Sequence, residues 1–411
     1  MKIAVMGCGV VGAGAVEIVD ELHSLLALRC YEDDIEVKYI LDIRDLSDRP
    51  YASKVIKDLD IILNDPEIGV VIETMGGTEP AFTFCTKCMN AGKSVVTSNK
   101  QLVAEKSDEL FETAKKNNVC FRFGASVCGG IPVIRTLFTG MAADEIESFA
   151  GILNGTTNFI LTGMIDKKLS FDAALKIAQD MGYAEKDPTA DIEGFDAARK
   201  TSILASIAFG RHIYPEDIHT EGITGVTLED AAYADNFGAK IKLLGRAEKA
   251  DGGKINAIVS PVLVNKDSLL SDVNGVFNAL SVKGKKTGEL ILYGQGAGRN
   301  ATASAVMADV LDCIRDGCFT PVYSWNRGEG NEVADHLGYE TALYIRGYSN
   351  NKAAAVTRIR ESFGGVTVLS RDNAPDNEIA FVTKKDTEYS LREILGGLKD
   401  FAPASVIRTM F

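Results

Sequence analysis

The sequence predicts a mixed α/β protein whose first part is a doubly wound parallel sheet of the Rossmann-like kind. Short apolar runs alternate with helical patterns over residues 1–123, which is typical of parallel strands joined by crossover helices. The segment Gly7-Cys-Gly9-Val-Val-Gly12 lies between the first strand and the first helix. A glycine turn at that place lets the backbone approach a pyrophosphate. The end of the chain, about seventy residues, follows the order βαββαβ of a ferredoxin-like unit.

The composition is that of a long, acidic, globular chain. It has 411 residues, 46% hydrophobic and 25% charged, with a net charge of −13 and a pI of about 5.0. The length predicts two or three domains. The negative charge argues against nucleic acid and anionic membranes as partners. The chain enters a strand pattern without a signal peptide, and its 8 cysteines are scattered, so we expect a cytoplasmic protein with reduced thiols.

The first strand, at residues 2–6, leads through the glycine turn into a helix that extends to about residue 29. The second strand, at 36–41, ends at Asp42, where a carboxylate would bind the ribose 2′-hydroxyl of NAD. Arg44 follows two residues later and would suit the 2′-phosphate of NADP, so the sequence leaves the choice between NAD and NADP open. The residues expected at the pyrophosphate are Gly7, Gly9, Val10, Val11 and Gly12.

Three further strands complete the predicted first sheet. They occupy residues 70–73, 94–97 and 119–123, and Thr78 is the expected cap of the helix after the first of them. Lys100 comes just after the second, at the edge where open α/β sheets bind ligands. The glycine-rich loop 124–132 could turn carbonyl groups toward a hard cation, or it could simply reverse the chain.

From about residue 138 the pattern becomes that of a second α+β unit. The turn Asn154-Gly-Thr-Thr157 opens a helix, and Ser170 caps the next one, which ends at Gly182. Residues 214–230 look irregular. The remaining expected elements are strands at 148–153, 236–248, 254–265 and 288–293, and a helix at 301–314 that could pack on the first sheet.

One helix of this unit combines charge with an apolar continuation. It is expected from about residue 192 to a stop at Gly210, with Asp196 and Lys200 one turn apart on one face. Ile203 and Ile207 continue the same stripe. The two charges could be a solvated surface pair, but the apolar stripe favours burial, and buried titratable groups often mark functional sites.

These patterns divide the chain into four parts. Residues 1–131 plus about 299–320 form the expected dinucleotide-binding domain, and 132–298 form a second α+β domain. Residues 321–337 are polar enough for a linker, and 338–411 form the ferredoxin-like unit.

Several motifs together resemble the homoserine dehydrogenase family over nearly the whole chain. They are Gly7 to Gly12, Thr97-Ser-Asn-Lys100, Ala125-Ser-Val-Cys-Gly-Gly-Ile-Pro132, Gly151-Ile-Leu-Asn-Gly-Thr-Thr-Asn158, Gly182-Tyr-Ala-Glu185, Asp187-Pro188, Asp191, Gly194, Asp196 and Arg199-Lys200. The tail resembles the ACT regulatory module. The resemblance implies reversible hydride transfer between NAD(P)H and aspartate 4-semialdehyde, which gives L-homoserine, and a homodimer or homotetramer. It also implies that residues 132–298 form the substrate-binding, catalytic and dimerisation domain.

The resemblance also implies roles for individual residues. Lys200 and Lys100 would serve the proton chemistry. Burial would lower the pKa of Lys200, whereas Asp196 one turn back would orient it and act on this pKa in the opposite sense. The implied substrate-binding residues are Glu185, Asp196, Asp191, Gly155 and Thr156. Thr97, Lys100, Gly182 and Gly298 would lie at the cofactor. Carbonyl groups of Val127, Gly129 and Ile131 would bind a monovalent cation, usually sodium.

The chain departs from the family pattern at two places. Gly124 stands where the family usually has glutamate before the cation loop, and residues 349–352 replace the turn expected of amino-acid-binding ACT modules. The tail could therefore serve subunit pairing instead of feedback control. Two other functions stay open: a non-catalytic sensor of NAD(P) and an amino acid, and a reductase of another amino-acid semialdehyde.

Overall fold

The computed structural model describes residues 1–32, 34–316 and 324–411. Its first part is a six-stranded parallel sheet in the order β3-β2-β1-β4-β5-β6, with helices on its faces. This order is that of a doubly wound sheet, so the predicted fold class is confirmed. The elements are β1 (Lys2–Met6), α1 (Val10–Cys30), β2 (Glu36–Leu41), β3 (Val55–Ile56), α2 (Asp60–Asn64), β4 (Ile68–Glu73), α3 (Ala81–Asn90), β5 (Ser94–Thr97), α4 (Lys100–Asn117) and β6 (Phe121–Arg122).

The second part is a largely antiparallel sheet with helices on one face. Its elements are α5 (Val133–Arg135), β7 (Ile146–Ile152), α6 (Gly155–Lys167), α7 (Phe171–Asp180), α8 (Thr189–Ile192), α9 (Phe195–Phe209), β8 (His219–Thr220), α10 (Leu228–Asn236), β9 (Ala239–Lys249), β10 (Ile255–Asn265), β11 (Phe277–Gly284), β12 (Gly288–Gln295) and α11 (Arg299–Asp316). Helix α11 returns to the first sheet and packs on α1, where a Cβ at Gly14 would lie 2.9 Å from the side chain of Ala303.

The tail has the predicted βαββαβ order, to which a pair of two-residue strands, Glu340–Thr341 and Asp386–Thr387, is added as a separate small sheet. Its elements are β13 (Glu340–Thr341), β14 (Leu343–Tyr348), α12 (Lys352–Ser362), β15 (Val366–Leu369), β16 (Glu378–Thr383), β17 (Asp386–Thr387), α13 (Glu388–Gly396) and β18 (Ala402–Met410). Strand β18 also pairs in parallel with β10, from Val262 against Arg408 to Val264 against Met410. The tail therefore continues the second sheet.

Four local predictions were wrong. The helix expected from residue 192 is broken at Gly194, whose φ of 84° separates α8 from α9. Helix α10 occupies part of the stretch expected to be irregular and the start of the expected strand, because Thr227 and Asp230 form a capping box. Strand β11 was missed. Thr78 does not cap α3, which begins after Pro80, and its hydroxyl donates to Glu105 at 2.6 Å.

The described part of the segment expected to be a linker is anchored. Trp325 is buried and packs edge-on against Phe111 and Phe123, with ring centroids 4.9 and 5.6 Å apart. The amide of His212 donates to the carbonyl of Asn326 at 2.8 Å. Residues 317–323, which include the start of that segment, lie outside the described residues. In the described ranges, no helix is both long and apolar enough to cross a membrane.

Replacing Trp325 by alanine should therefore destabilise the protein by about 3–5 kcal/mol, because a large buried aromatic group leaves a cavity. Tyr389→Ala, at a residue that is 61% exposed, is the matched control and should change stability by less than about 0.5 kcal/mol. Circular dichroism in a urea titration measures both, since Trp325 is the only tryptophan of the chain. Equal free energies of unfolding for the two variants would mean that this segment is a linker that does not pack on the rest of the protein.

Candidate active site

A buried carboxylate between two lysines lies at the carboxyl edge of the first sheet. Asp196 begins the first turn of α9, and Lys200 follows one turn later on the same face. The ammonium of Lys200 lies 2.7 Å from Oδ2 of Asp196, and that of Lys100 lies 2.9 Å from Oδ1. Lys100 is the first residue of α4, which Asn99 caps by accepting the amide of Leu102. One carboxylate thus joins the two parts of the fold.

Neutral groups from the second sheet and the turn after it form hydrogen bonds with this cluster. Lys200 donates to the carbonyl of Leu153 at 2.7 Å. The amide of Asn154 donates to Asp196 at 2.9 Å and to Asp191 at 2.7 Å, while its oxygen accepts the amide of Thr157 and caps α6. The sequence indicated Asn154 only as part of a helix-opening turn; its bonds to two distant carboxylates were not predictable from local pattern.

The cluster keeps its charges. Burial opposes the charge on Asp196, but the nearby ammonium groups of Lys200 and Lys100 outweigh it and hold the pKa of Asp196 well below its usual range. Burial likewise opposes the charge on Lys200, but the attraction of Asp196 outweighs it and raises the pKa of Lys200. The sequence indicated both opposing effects and left their balance open; the contact with Asp196 decides it. The pKa of Asp191 is raised, mainly by burial.

A cleft of about 380 Å³ opens beside the cluster. Carboxylate and cationic side chains line it, and the side chain of Lys100 is about 40% exposed. Its polar lining consists of Thr74, Ser98, Asn99, Lys100, Gln101, Glu185, Asp187, Asp191, Asp196 and Arg199. Five of the predicted catalytic and substrate residues, Lys100, Lys200, Glu185, Asp191 and Asp196, therefore lie together or in direct contact.

The turn at the start of α6, predicted to bind substrate, lies next to this cleft. Gly155 and Thr156 form the first turn of α6, directly after Asn154, and the hydroxyl of Thr156 donates to the carbonyl of Tyr183 at 2.7 Å. A Cβ at Gly155 would lie 2.7 Å from the carbonyl oxygen of Val276, so only glycine fits. The unpaired amides of a first helical turn suit an anionic group.

The glycine turn after β1 has the shape of a pyrophosphate cradle. Gly7 has a φ of 85°, and a Cβ at Gly12 would lie 2.2 Å from the carbonyl oxygen of Gly7. Gly9, which caps α1, faces open space. The amides of Val10, Val11 and Gly12 thus begin a helix beside an open surface, which is the arrangement that binds phosphates.

Asp42 and Arg44 form one unit at the end of β2. Arg44 donates its backbone amide at 2.9 Å and its Nε at 3.0 Å to Oδ1 of Asp42, while the amide of Cys8 donates to Oδ2 at 2.7 Å. The Arg44 guanidinium lowers the pKa of Asp42 to about 2. The two residues predicted as alternatives for the ribose end are bound to each other, so the choice between NAD and NADP stays open.

Three other residues predicted to bind the cofactor, Thr97, Gly182 and Gly298, lie in three separate segments. The hydroxyl of Thr97 is buried and donates to Glu73, a carboxyl whose pKa is raised by burial. Gly182 follows α7 with a φ of 73°, and Gly298 precedes α11 with a φ of 114°. The space beside both glycines is open to at least 4 Å. Glu73 is a buried partner that the sequence did not indicate.

The predicted cation loop is a tight reversal. Cys128 and Gly129 have φ values of 57° and 44°. Within the described ranges, the carbonyls of Val127 and Gly129 accept no hydrogen bond, whereas that of Ile131 accepts the amide of Val133 at 2.7 Å. Two free carbonyls fit a hard monovalent cation, but the third is already in use.

Asp309 occupies the place that a side chain at Gly124 would take. Its Oδ2 accepts the amide of Gly124 at 2.6 Å, and a Cβ at Gly124 would lie 2.7 Å from its Oδ1. Burial raises the pKa of Asp309 to about 7, although Arg135 lies 3.9 Å away. The sequence did not reveal this residue, because α11 and the loop are far apart along the chain.

A nucleotide-binding parallel sheet beside a buried Lys–Asp–Lys cluster defines an NAD(P)-dependent oxidoreductase acting on a small molecule. Two family models match the chain: "Homoserine dehydrogenase, NAD binding domain" over residues 7–124 and "Homoserine dehydrogenase" over residues 132–311. The chain belongs to the homoserine dehydrogenase family.

Individual relatives agree with this assignment. The homoserine dehydrogenase of Bacillus subtilis is 40% identical over 428 residues, which is 100% of this chain and 98% of the relative. The crystal structure of a homoserine dehydrogenase from Thiobacillus denitrificans matches with a TM-score of 0.89 at 35% identity, covering 100% and 98% of the two chains. A hyperthermophilic archaeal homoserine dehydrogenase in complex with NADPH matches with a TM-score of 0.66 at 28% identity, covering 78% and 99%.

Asp309→Asn should flatten the pH dependence of stability. The ordinary pKa of the unfolded aspartate is 3.8 and that of the folded one about 7, so the folded state holds the extra proton and its stabilisation is lost as pH rises through about 7. Between about pH 6 and pH 8 the wild type should lose about 1.4 kcal/mol relative to the variant. Urea denaturation at both pH values measures this; parallel losses would mean that Asp309 is ionised throughout.

Proposed function

We propose that this protein catalyses the reversible oxidation of L-homoserine to L-aspartate 4-semialdehyde with NAD or NADP. The observation that carries the proposal is the contact of Lys100 and Lys200 with Asp196 in a cleft at the edge of the nucleotide-binding sheet. The bound nicotinamide supplies the hydride chemistry. The chain's own residues then have to supply the proton and hold the amino acid.

Lys200 is the proposed proton donor in the reductive direction. When the aldehyde carbon receives hydride, its oxygen gains negative charge, which needs a proton and a nearby cation. The raised pKa of Lys200 keeps it as an ammonium group that can give that proton to the oxygen. Lys100 supplies a second positive charge, and Asp196 fixes both ammonium groups. In the oxidative direction the reacting form is the one with Lys200 as a neutral amine, which takes the proton from the hydroxyl and becomes the ammonium group again.

The substrate's own charges match the cleft. Its ammonium group needs carboxylates, for which Glu185 and Asp191 line the cleft beside Asp196. Its carboxylate would lie at the start of α6, against the amides of Gly155 and Thr156. This orientation leaves the hydroxyl-bearing carbon free to face the lysines.

The proposed cofactor site follows the carboxyl edge of the first sheet. The glycine turn would hold the pyrophosphate, because the amides of Val10, Val11 and Gly12 begin α1 beside the open space at Gly9. The residues proposed to hold the cofactor are Gly7, Gly9, Val10, Val11, Gly12, Asp42, Arg44, Thr97, Lys100, Gly182 and Gly298. Thr97 would contribute through its backbone, since its hydroxyl is bound to Glu73.

A sodium ion is proposed at the loop of Val127, Gly129 and Ile131. The two free carbonyls of this loop support it. The assembly is proposed to be a homodimer or homotetramer paired through residues 132–298. Residues 1–131 with about 299–320 would bind the cofactor, and 338–411 would form an ACT-like unit.

Lys200→Met should lower kcat by a factor of about 10²–10⁴, the usual size of general acid–base catalysis, and leave NADPH binding unchanged. Lys176→Met, at an exposed pair with Asp180 on α7, is the control and should keep full activity. Homoserine-dependent formation of NAD(P)H, followed by absorbance, and quenching of NADPH fluorescence give the two readouts. Near-normal turnover by the Lys200 variant would refute the role of Lys200 as proton donor. If the wild type did not turn over homoserine at all, the alternative of a non-catalytic sensor would be favoured.

Glu185→Gln should raise the KM for homoserine by about 10-fold or more, since a hydrogen bond to a charged group is worth about 1.5–3 kcal/mol, with little change in the KM for the cofactor. Asp180→Asn is a nearby control outside the cleft. Steady-state kinetics with homoserine and with its chain-lengthened analogue measure this. A higher kcat/KM for the analogue would assign the protein to another amino-acid semialdehyde instead.

A further inference from the structure

A buried carboxyl group joins the two loops that line one side of the cleft. Glu73 is the last residue of β4 and is fully buried. Its Oε1 accepts the amide of Met75 at 2.6 Å, and its Oε2 accepts the hydroxyl of Thr97, the last residue of β5, at 2.5 Å. Residues 74–77 after β4 and 98–101 after β5 all line the cleft. Glu73 therefore holds both loops from inside the protein.

The hydrogen bonds of Glu73 continue to Lys100. The amide of Asn99 donates to the hydroxyl of Thr97 at 2.9 Å. Because an amide can only donate, this hydroxyl accepts the bond and directs its own proton to Glu73. The side chain of Asn99 caps α4 and donates to the carbonyl of Gly77 at 2.6 Å. Lys100 is the first residue of α4, so this chain of bonds sets its backbone position.

The charge of Glu73 has no ionic partner. Within the described ranges, no salt bridge joins Glu73 to a lysine or arginine, and the hydrogen bonds above come from neutral groups. Burial raises the pKa of Glu73, although the bonds from Thr97 and Met75 oppose this. A carboxylate offers two acceptor oxygens, whereas a glutamine amide offers one. The two donors, one from each loop, therefore account for a carboxyl group at a place where burial opposes its charge.

We propose that Glu73 is a positioning residue that holds Lys100 in contact with Asp196. It acts through the hydroxyl of Thr97 and the cap formed by Asn99. The proposal rests on the proposed function, in which Lys100 supplies positive charge to the reacting oxygen. Lys100 reaches Asp196 from the other unit of the fold at 2.9 Å, and a displacement of a catalytic group by about 1 Å can lower a rate by about 100-fold.

A double-mutant cycle in the full-length protein separates positioning from general support of the fold. Glu73→Gln should lower kcat for homoserine oxidation by about 10-fold or more in the wild-type background. In the Lys100→Met background the same substitution should lower kcat by less than about 2-fold, because the group through which it acts is already absent. An equal loss in both backgrounds would reject the proposal.

The hydroxyl of Thr97 gives a second test that does not need a folded Glu73 variant. Thr97→Val keeps the shape of the side chain and removes the hydroxyl, whereas Thr97→Ser keeps the hydroxyl. The kcat of the valine variant should be about 5-fold or more below that of the serine variant. Thr113→Val, which removes a hydroxyl near the other end of α4, is the control and should keep full activity. A serine variant no faster than the valine variant would also overturn the proposal.

Trace acetylation reports the position of Lys100 without any turnover. Lys100 and Lys106 of α4 have similar exposure, 40% and 37%, and each is paired with one carboxylate. With acetic anhydride and mass spectrometry, Lys100 should be labelled about 3-fold faster or more in Glu73→Gln than in the wild type, because its ion pair is weakened. The labelling of Lys106 should not change.

This readout also separates the two proposals. Unchanged labelling of Lys100, or an equal rise at Lys106, would mean that Glu73 does not position Lys100. Faster labelling of Lys100 alone, in a protein that does not oxidise homoserine, would refute the proposed function and support the positioning by Glu73.

Discussion

The pairing of Asp196 with two ammonium groups is the interaction on which the rest of the structure depends. A buried carboxylate without a partner would cost several kcal/mol, and breaking a buried pair by removing one partner costs about 3–5 kcal/mol. Lys100 comes from the nucleotide-binding sheet and Lys200 from the second unit. The same contact that holds the charges proposed for catalysis therefore also fixes the two units against each other.

Backbone geometry sets the position of this pair. The sharp turn at Gly194 ends α8 and redirects the chain, so that α9 starts with Asp196 in its first turn. A carboxylate there also gains from the free amides of the helix start. Asn154, which caps α6, then ties Asp196 to Asp191 on the preceding short helix. Three helix starts, those of α4, α6 and α9, thus converge on one cleft.

The features that the sequence predicted correctly are those set by residues close together in the chain. The Rossmann-like order, the glycine turn, the i,i+4 spacing of Asp196 and Lys200 and the βαββαβ tail all follow from periodicity or spacing. Contacts between distant segments did not follow: those of Lys100 with Asp196 and of Asp309 with Gly124 depend on packing that no local pattern encodes. The direction of the pKa shift of Lys200 could not be decided from the sequence, since it depends on two opposing contributions whose balance needs the actual distance to Asp196.

The attachment of the tail limits how it can influence the cleft. Strand β18 covers an edge of β10, which would otherwise present unpaired backbone groups. Arg408 of β18 is bound to Glu221, and the next turn of that loop gives the amide of Ile223 to the carbonyl of Ile192 in α8. Helix α8 contains Asp191 of the cleft. A displacement of β18 would therefore have to break a buried ion pair as well as strand pairing, so the tail and the cleft behave as parts of one packed structure.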